Sequence, residues 1–200
     1  IEGHIGADEE QLRFLTAESV ETLLVSFEIG ERYFLGLARD GGQAFFAWRT
    51  SWINEPVNED IKFEGFKTLR EVGGSLSEVD LTLAMHAVGL GNWHAKHPRC
   101  SQCGAETISD LGGSVRVCSV DSSQHYPRTD PAVIVLVKDA ADRILLGHQS
   151  IWPEKRFSTF AGFVEPGESF EECVSREVFE EAGVYCNDIN YLASQAWPFP

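Results

Sequence analysis

Two hundred residues allow one large domain or two small ones, and 43% hydrophobic with 24% charged residues is the balance of an ordinary soluble globular protein. No stretch approaches the roughly 18 apolar residues that a membrane span needs. With 31 acidic against 16 basic residues and a net charge of −15, the chain lacks the clustered cations that grip a duplex phosphate backbone, whereas a small anionic substrate screened by divalent cations stays compatible with it.

Ile1 to Arg13 carries acidic residues, without the basic start and apolar run of a signal peptide, and an Ile in first place is expected of a trimmed end. Val20 to Ile29 and Arg32 to Ala38 are β-branched and aromatic and predict two strands, with Gly30-Glu31 as the hairpin turn between them. Gln43 to Arg49 predicts a third after the Gly41-Gly42 turn. At Ser77 the pattern changes to helix: Ser77 with Asp80 resembles a capping arrangement, and Ala84, Val88 and Trp93 suit an inward face. Residues 1–95 are therefore expected to form a β-rich domain ending in a helix.

Residues 96–128 have too little apolar content to build a core alone, so they need a metal or neighbouring domains. They hold Cys100, Cys103 and Cys118, with Asp121 three residues after the last. A Cys-x-x-Cys followed by Cys-x-x-Asp approximates a four-ligand zinc ribbon, carboxylate oxygen being an acceptable but less common ligand. His94, His97 and His125 are also near in sequence. Two readings stay open: a structural zinc on the three cysteines and Asp121, or a ribbon that folds without metal. The other two cysteines, Cys173 and Cys186, are expected as small buried hydrophobes. An odd cysteine count in an apparently leaderless chain fits a reducing, cytoplasmic compartment rather than a disulfide framework.

Residues 129–200 open on Asp130-Pro131 and Ala132 to Val137, an unbroken apolar run expected of a buried strand, and Arg143 to Gly147 predicts its partner across a turn at 139–142. The informative stretch runs from Gly162 to Val184. Pro166-Gly167 makes a tight turn, Ser169 with Glu172 a capping box, and Gly183 a helix stop. Between them Phe170, Val174, Val178 and Ala182, with Cys173 beside them, form an apolar stripe. Glu177, Glu180 and Glu181 share the remaining surface. Three neighbouring carboxylates repel one another unless a cation lies between them, and oxygen-rich clusters of this kind suit Mg²⁺ or Mn²⁺. Arg176 stands where it could orient a carboxylate.

Gly162, Glu168, Arg176, Glu177, Val178, Glu180, Glu181, Gly183 and Val184 together resemble the signature of the Nudix hydrolases. With a chance frequency of about 0.07 for each of the seven non-aliphatic positions, the match arises on the order of once in 10⁸ windows, which sets aside a merely solvated acidic face. The resemblance implies an α/β/α sandwich in which Glu177, Glu180, Glu181 and the backbone carbonyl of Ala161 hold the divalent metal. Glu168, Arg176 and the three glutamates would form the catalytic set, and the spacing does not say which glutamate is a general base.

A zinc ribbon directly before such a domain, the approach from Trp93-His94 to His97, and Ser194-Gln195-Ala196-Trp197-Pro198-Phe199-Pro200 after the box resemble the NADH pyrophosphatase (NudC-type) subfamily. Ala196 departs from that subfamily's motif, as Asp121 departs from its four-cysteine ribbon. The resemblance implies substrate contacts from Gln195 to Pro200, with Trp197 and Phe199 stacking on a base or nicotinamide, and from Tyr126. It also implies a homodimer and hydrolysis of NADH or NAD⁺ to AMP and nicotinamide mononucleotide, with removal of NAD caps from RNA as a further use. The alternatives are another dinucleotide or ADP-ribose as substrate, or a non-catalytic nucleotide-binding protein. After Val184 only Asn190 to Ser194 looks strand-like. The Nudix part is therefore expected to be incomplete at its C-terminus, to leave a buried-type strand and the apolar side of the box helix partly uncovered, and to hydrolyse little NADH by itself.

Overall fold

The structure is a computed structural model that describes residues 4–6, 11–16, 19, 27–52 and 66–197. Its strands and few helices make a mixed α/β protein. β1 (His4–Gly6) pairs antiparallel with β4 (Phe66–Thr68), and β2 (Phe27–Leu37) with β3 (Ala44–Trp52). Of the strand expected from Val20, residues 20–26 lie outside the described residues. Gly30-Glu31 is not a turn. It lies inside β2, where the register shifts between Ile29 and Arg32 as at a bulge. The physical reason is steric: the Arg49 carbonyl of β3 occupies the space a Cβ on Gly30 would fill, so the glycine admits a close strand rather than a reversal. The reversal comes later, where the Ala38 N–H donates to the Gln43 carbonyl at 2.7 Å.

α1 (Leu69–Val72) and α2 (Glu78–Lys96) follow. Ser77 caps α2 as expected, its hydroxyl accepting from the Asp80 N–H at 3.1 Å. Ala84 joins Leu69, Val72 and Leu76 in one core cluster, and Trp93 is buried farther along the helix. The next segment is an antiparallel meander of β5 (Thr107–Asp110), β6 (Val115–Cys118) and β7 (Gln124–His125).

Arg116 of β6 is buried and ties this meander to its unit. It donates to the Thr107 hydroxyl and carbonyl, to Glu31 and to His94 Nδ1, each at 2.7 Å. His94 stacks on Tyr33 with ring centroids 4.4 Å apart, and its Nε2 lies 2.8 Å from the Gly113 carbonyl. A carbonyl can only accept, so Nε2 carries the proton and Nδ1 the lone pair that receives Arg116. Burial pushes the His94 imidazolium pKa down, which fits this neutral ring. Among the described residues, no buried side-chain nitrogen or oxygen lacks a partner.

The chain divides into two compact units. Thr129–Gln195 forms the second, and Ala196 and Trp197 group with the first. In the second unit the expected partner of the apolar run is only partly right: β8 (Ala132–Val135) pairs with β11 (Phe160–Phe163), and only the short β9 (Val137–Lys138) pairs with β10 (Ile144–Leu145). α3 (Phe170–Ala182) packs on the β8–β11 pair through Val133, Phe160, Cys173, Val174 and Val178. The run from Ala132 to Val137 is therefore not buried throughout. Val133 lies beneath α3, while Ile134 and Leu136 are exposed, because a helix covers one face of the pleat only. Asn190 to Ser194 is not a strand; its side chains bond locally, Asn190 to the Asp188 carbonyl and Tyr191 to Ser194. No helix among the described residues is long and apolar enough to cross a membrane.

Candidate active site and metal centre

The box folds as its residues dictate. The Ser169 hydroxyl accepts from the Glu172 N–H at 3.2 Å and the Glu172 carboxylate from the Ser169 N–H at 2.8 Å, closing the capping box at the start of α3. Gly183 ends the helix at φ +67, a left-handed conformation suited to glycine. The expected apolar stripe is buried only in its middle. Cys173, Val174 and Val178 are covered, whereas Phe170 is 50% exposed and Ala182 is exposed. Four-residue strands reach about 13 Å and a 13-residue helix about 20 Å, so the sheet covers the central turns and not the ends.

Phe160 and Gly162 lie on the same face of β11, the one that α3 covers. A Cβ on Gly162 would overlap the Glu177 carboxyl, so glycine at the first box position leaves the room in which the metal-ligand candidate lies flat on the strand. Arg176 then gathers the carboxylates. It grips Glu168 with both arms, Nε to Oε1 at 2.6 Å and Nη2 to Oε2 at 2.9 Å. It also reaches Glu177 at 2.8 Å, Glu180 at 3.3 Å and the Phe163 carbonyl at 3.0 Å. The Glu165 N–H donates to the same Glu168 Oε2 at 3.0 Å. Arg176, followed by that N–H, holds the Glu168 carboxyl down to about 2, and Glu168 in turn pushes Arg176 further up. Glu168 and Glu177 are largely covered, while Glu180 and Glu181 are exposed. Sequence reasoning saw Arg176 orienting one carboxylate; the fold makes it the partner of three. Ala161 pairs with Ile134 in the strand ladder. Hard carboxylate oxygens around one cationic anchor suit a divalent cation that keeps open positions for phosphate.

In the ribbon, ligand atoms of Cys100, Cys103, Cys118 and Asp121 all lie within 4.8 Å of one another. Cys103 and Cys118 sulfurs are 3.5 Å apart, and Cys100 Sγ is 3.9 Å from Asp121 Oδ2. A tetrahedral zinc with bonds of about 2.3 Å separates its ligands by about 3.8 Å, so the four donors fit the ion. The two turns are built alike. Gln102 N–H donates to Cys100 Sγ and Val120 N–H to Cys118 Sγ, each at 3.4 Å. Gly104 N–H donates to the Cys100 carbonyl at 2.9 Å and Ser122 N–H to that of Cys118 at 3.2 Å, with φ of +76 and +60. Asp121 thus occupies the place in its turn that Cys103 occupies in the other. The Ser123 hydroxyl, whose single hydrogen goes to Asp121 Oδ1 at 2.6 Å with Cys100 Sγ 3.3 Å away, acts with the Ser123 N–H to hold Asp121 well below the usual carboxylate range. His94 and His97, near in sequence, bond instead to Gly113, Arg116 and Trp93. His125 comes close, reaching Ser123 rather than a cysteine. Ser123 was missed by sequence reasoning, although a serine two residues past an aspartate is a recognisable side-chain-to-backbone turn.

Of the residues expected at the substrate, Tyr126 is 64% exposed and donates to Gln124 Oε1 at 2.6 Å. Gln195 and Ala196 are exposed and Trp197 is 63% exposed, so it is not packed in a core. Pro198, Phe199 and Pro200 lie outside the described residues.

The Nudix domain model matches residues 128–200, the NADH pyrophosphatase zinc ribbon domain residues 95–126, and the NADH pyrophosphatase-like rudimentary Nudix domain residues 6–93. That last match falls where the sequence alone showed strands without a family signal. The chain is 42% identical over 170 residues to the NAD-capped RNA hydrolase NudC of Mycobacterium tuberculosis, covering 85% of this chain and 53% of that protein. It is 45% identical over 135 residues to the mitochondrial NAD(P)H pyrophosphatase NUDT13 of Mus musculus, covering 68% and 38%, and 39% identical over 148 residues to that of Homo sapiens, covering 74% and 42%. The chain spans about half the length of the relatives it matches.

Proposed function

The chain belongs to the Nudix family, with the zinc ribbon and rudimentary domain of its NADH pyrophosphatases, and from that premise we propose that it hydrolyses the diphosphate of NADH or NAD⁺. Water attacks one phosphorus, the bond from that phosphorus to the bridging oxygen breaks, and AMP and nicotinamide mononucleotide leave. The observation that carries this reading is the Gly162–Glu177 contact with Arg176 gripping Glu168, Glu177 and Glu180. Glu177, Glu180, Glu181 and the Ala161 carbonyl would hold Mg²⁺ or Mn²⁺, which when bound neutralises diphosphate oxygens and activates water. Arg176 keeps the carboxylates at fixed angles, and Glu168 anchors Arg176 in turn. Trp197, Phe199, Tyr126 and Gln195 would hold the base or nicotinamide, with Ala196, Pro198 and Pro200 shaping the aromatic segment.

The names of the relatives support two uses, on the free dinucleotide and on NAD-capped RNA. Cys100, Cys103, Cys118 and Asp121 would hold a structural zinc, and their need for free thiolates favours a reducing, cytoplasmic compartment. We read residues 1–95, 96–128 and 129–200 as the three functional parts, and a homodimer as the working assembly. The test is AMP release by the full-length protein, with Mg²⁺ or Mn²⁺, from NADH, NAD⁺, NAD-capped RNA and ADP-ribose. Preference for NADH or the NAD cap is expected; preference for ADP-ribose, or no AMP at all, overturns the proposal.

A further inference from the structure

A carboxylate in the place of a thiolate raises a problem of aim. A sulfur offers one donor atom, whereas Asp121 offers two oxygens on a rotatable bond. The fold ties down one of them. Asp121 Oδ1 accepts from the Ser123 N–H at 2.9 Å and from the Ser123 hydroxyl at 2.6 Å, which leaves Oδ2 turned to the cysteines. With the single hydroxyl hydrogen of Ser123 spent on Asp121, His125 Nε2 at 3.2 Å must be the donor to the serine oxygen. His125 Nδ1 is then the acceptor facing the Ser101 hydroxyl at 3.4 Å. Donors run in one direction from Ser101 through His125 and Ser123 to Asp121.

We propose that Ser123 and His125 are positioning residues that make Asp121 the single-oxygen fourth ligand of a divalent metal held by Cys100, Cys103 and Cys118. The inference rests on the reading that the ribbon holds a metal. Its distinguishing consequence is that Ser123 matters most while residue 121 is a carboxylate, because a thiolate needs no such aim and leaves the hydroxyl only its contact with Cys100 Sγ at 3.3 Å.

The experiment titrates the metal-free chain with Co²⁺ and Zn²⁺, following the visible absorption of tetrahedral Co²⁺ and the competition of a chromophoric chelator for Zn²⁺. Ser123→Ala is expected to weaken Zn²⁺ binding about 10–100-fold, the usual cost of removing a group that orients a ligand, and to reduce the tetrahedral Co²⁺ absorption. Ser123→Thr, which keeps the hydroxyl, retains the affinity, and His125→Ala adds little once Ser123 is alanine. In an Asp121→Cys background Ser123→Ala loses most of its effect. An equal loss in both backgrounds, or none in the unaltered chain, overturns the positioning role while leaving the metal reading intact. Absence of Co²⁺ and Zn²⁺ uptake by the unaltered chain overturns both.

Discussion

Replacing Gly162 with alanine tests the packing of the box directly. The added methyl group would stand inside the Glu177 carboxyl, and Glu177 cannot withdraw without leaving Arg176 at 2.8 Å. Either the strand or the glutamate must move. Overfilling a packed site costs about 1–3 kcal/mol, and displacing a reacting group by about 1 Å costs on the order of 10²-fold in turnover. The sign should reverse when the obstacle is removed. With Glu177→Ala already in place the three atoms nearest the methyl group are gone, and alanine in a strand interior is favoured over glycine by roughly 0.5–1 kcal/mol. A double-mutant cycle by denaturant unfolding should therefore show a coupling of roughly 2 kcal/mol between positions 162 and 177. NADH hydrolysis by full-length Gly162→Ala supplies the second readout. Unchanged turnover, or the same stability change in both backgrounds, would refute the reasoning.

Arg176→Lys keeps the charge but loses the two-armed grip on Glu168, and Mn²⁺ affinity at the box should fall about 10–100-fold by titration calorimetry. Glu181→Gln removes an exposed carboxylate without changing its shape; NADH turnover should drop by about 10²-fold or more while the thermal midpoint holds, and near-normal turnover at saturating Mg²⁺ or Mn²⁺ would remove Glu181 from the metal site. Burial lowers the His94 pKa in the folded state, so as pH falls below about 6.5 the unfolded chain takes up a proton that the folded chain refuses. Stability from this source is complete above that pH and declines below it. His94→Gln should flatten the denaturant midpoint measured between pH 8 and 5, and an unchanged slope would assign the decline to other groups. Elemental analysis of the purified protein should find about one zinc per chain, the stoichiometry of a single structural site.

Local chemistry was legible wherever it is written at short range. The Ser77 and Ser169 caps, the Gly183 stop, the antiparallel partner of Val137 at Leu145, and the ribbon's Cys100, Cys103, Cys118 and Asp121 cluster all follow from residues close in sequence. The family signal was legible too, because its residues recur at helical spacing within one segment. What sequence could not decide depends on which surfaces meet. Gly30-Glu31 has the composition of a turn, and only the carbonyl of Arg49 across the sheet makes it a bulge. Ala132 to Val137 is apolar on both faces, and only the placement of α3 decides that Val133 is covered and Ile134 is not. Arg116 and Glu31 stand 85 residues apart, so no local pattern could announce that they share a buried site with His94. The box supplied its own reagents through periodicity; the angle at which Arg176 holds Glu168, Glu177 and Glu180 required a strand with no side chain at position 162, which is a property of the packed pair and not of either segment.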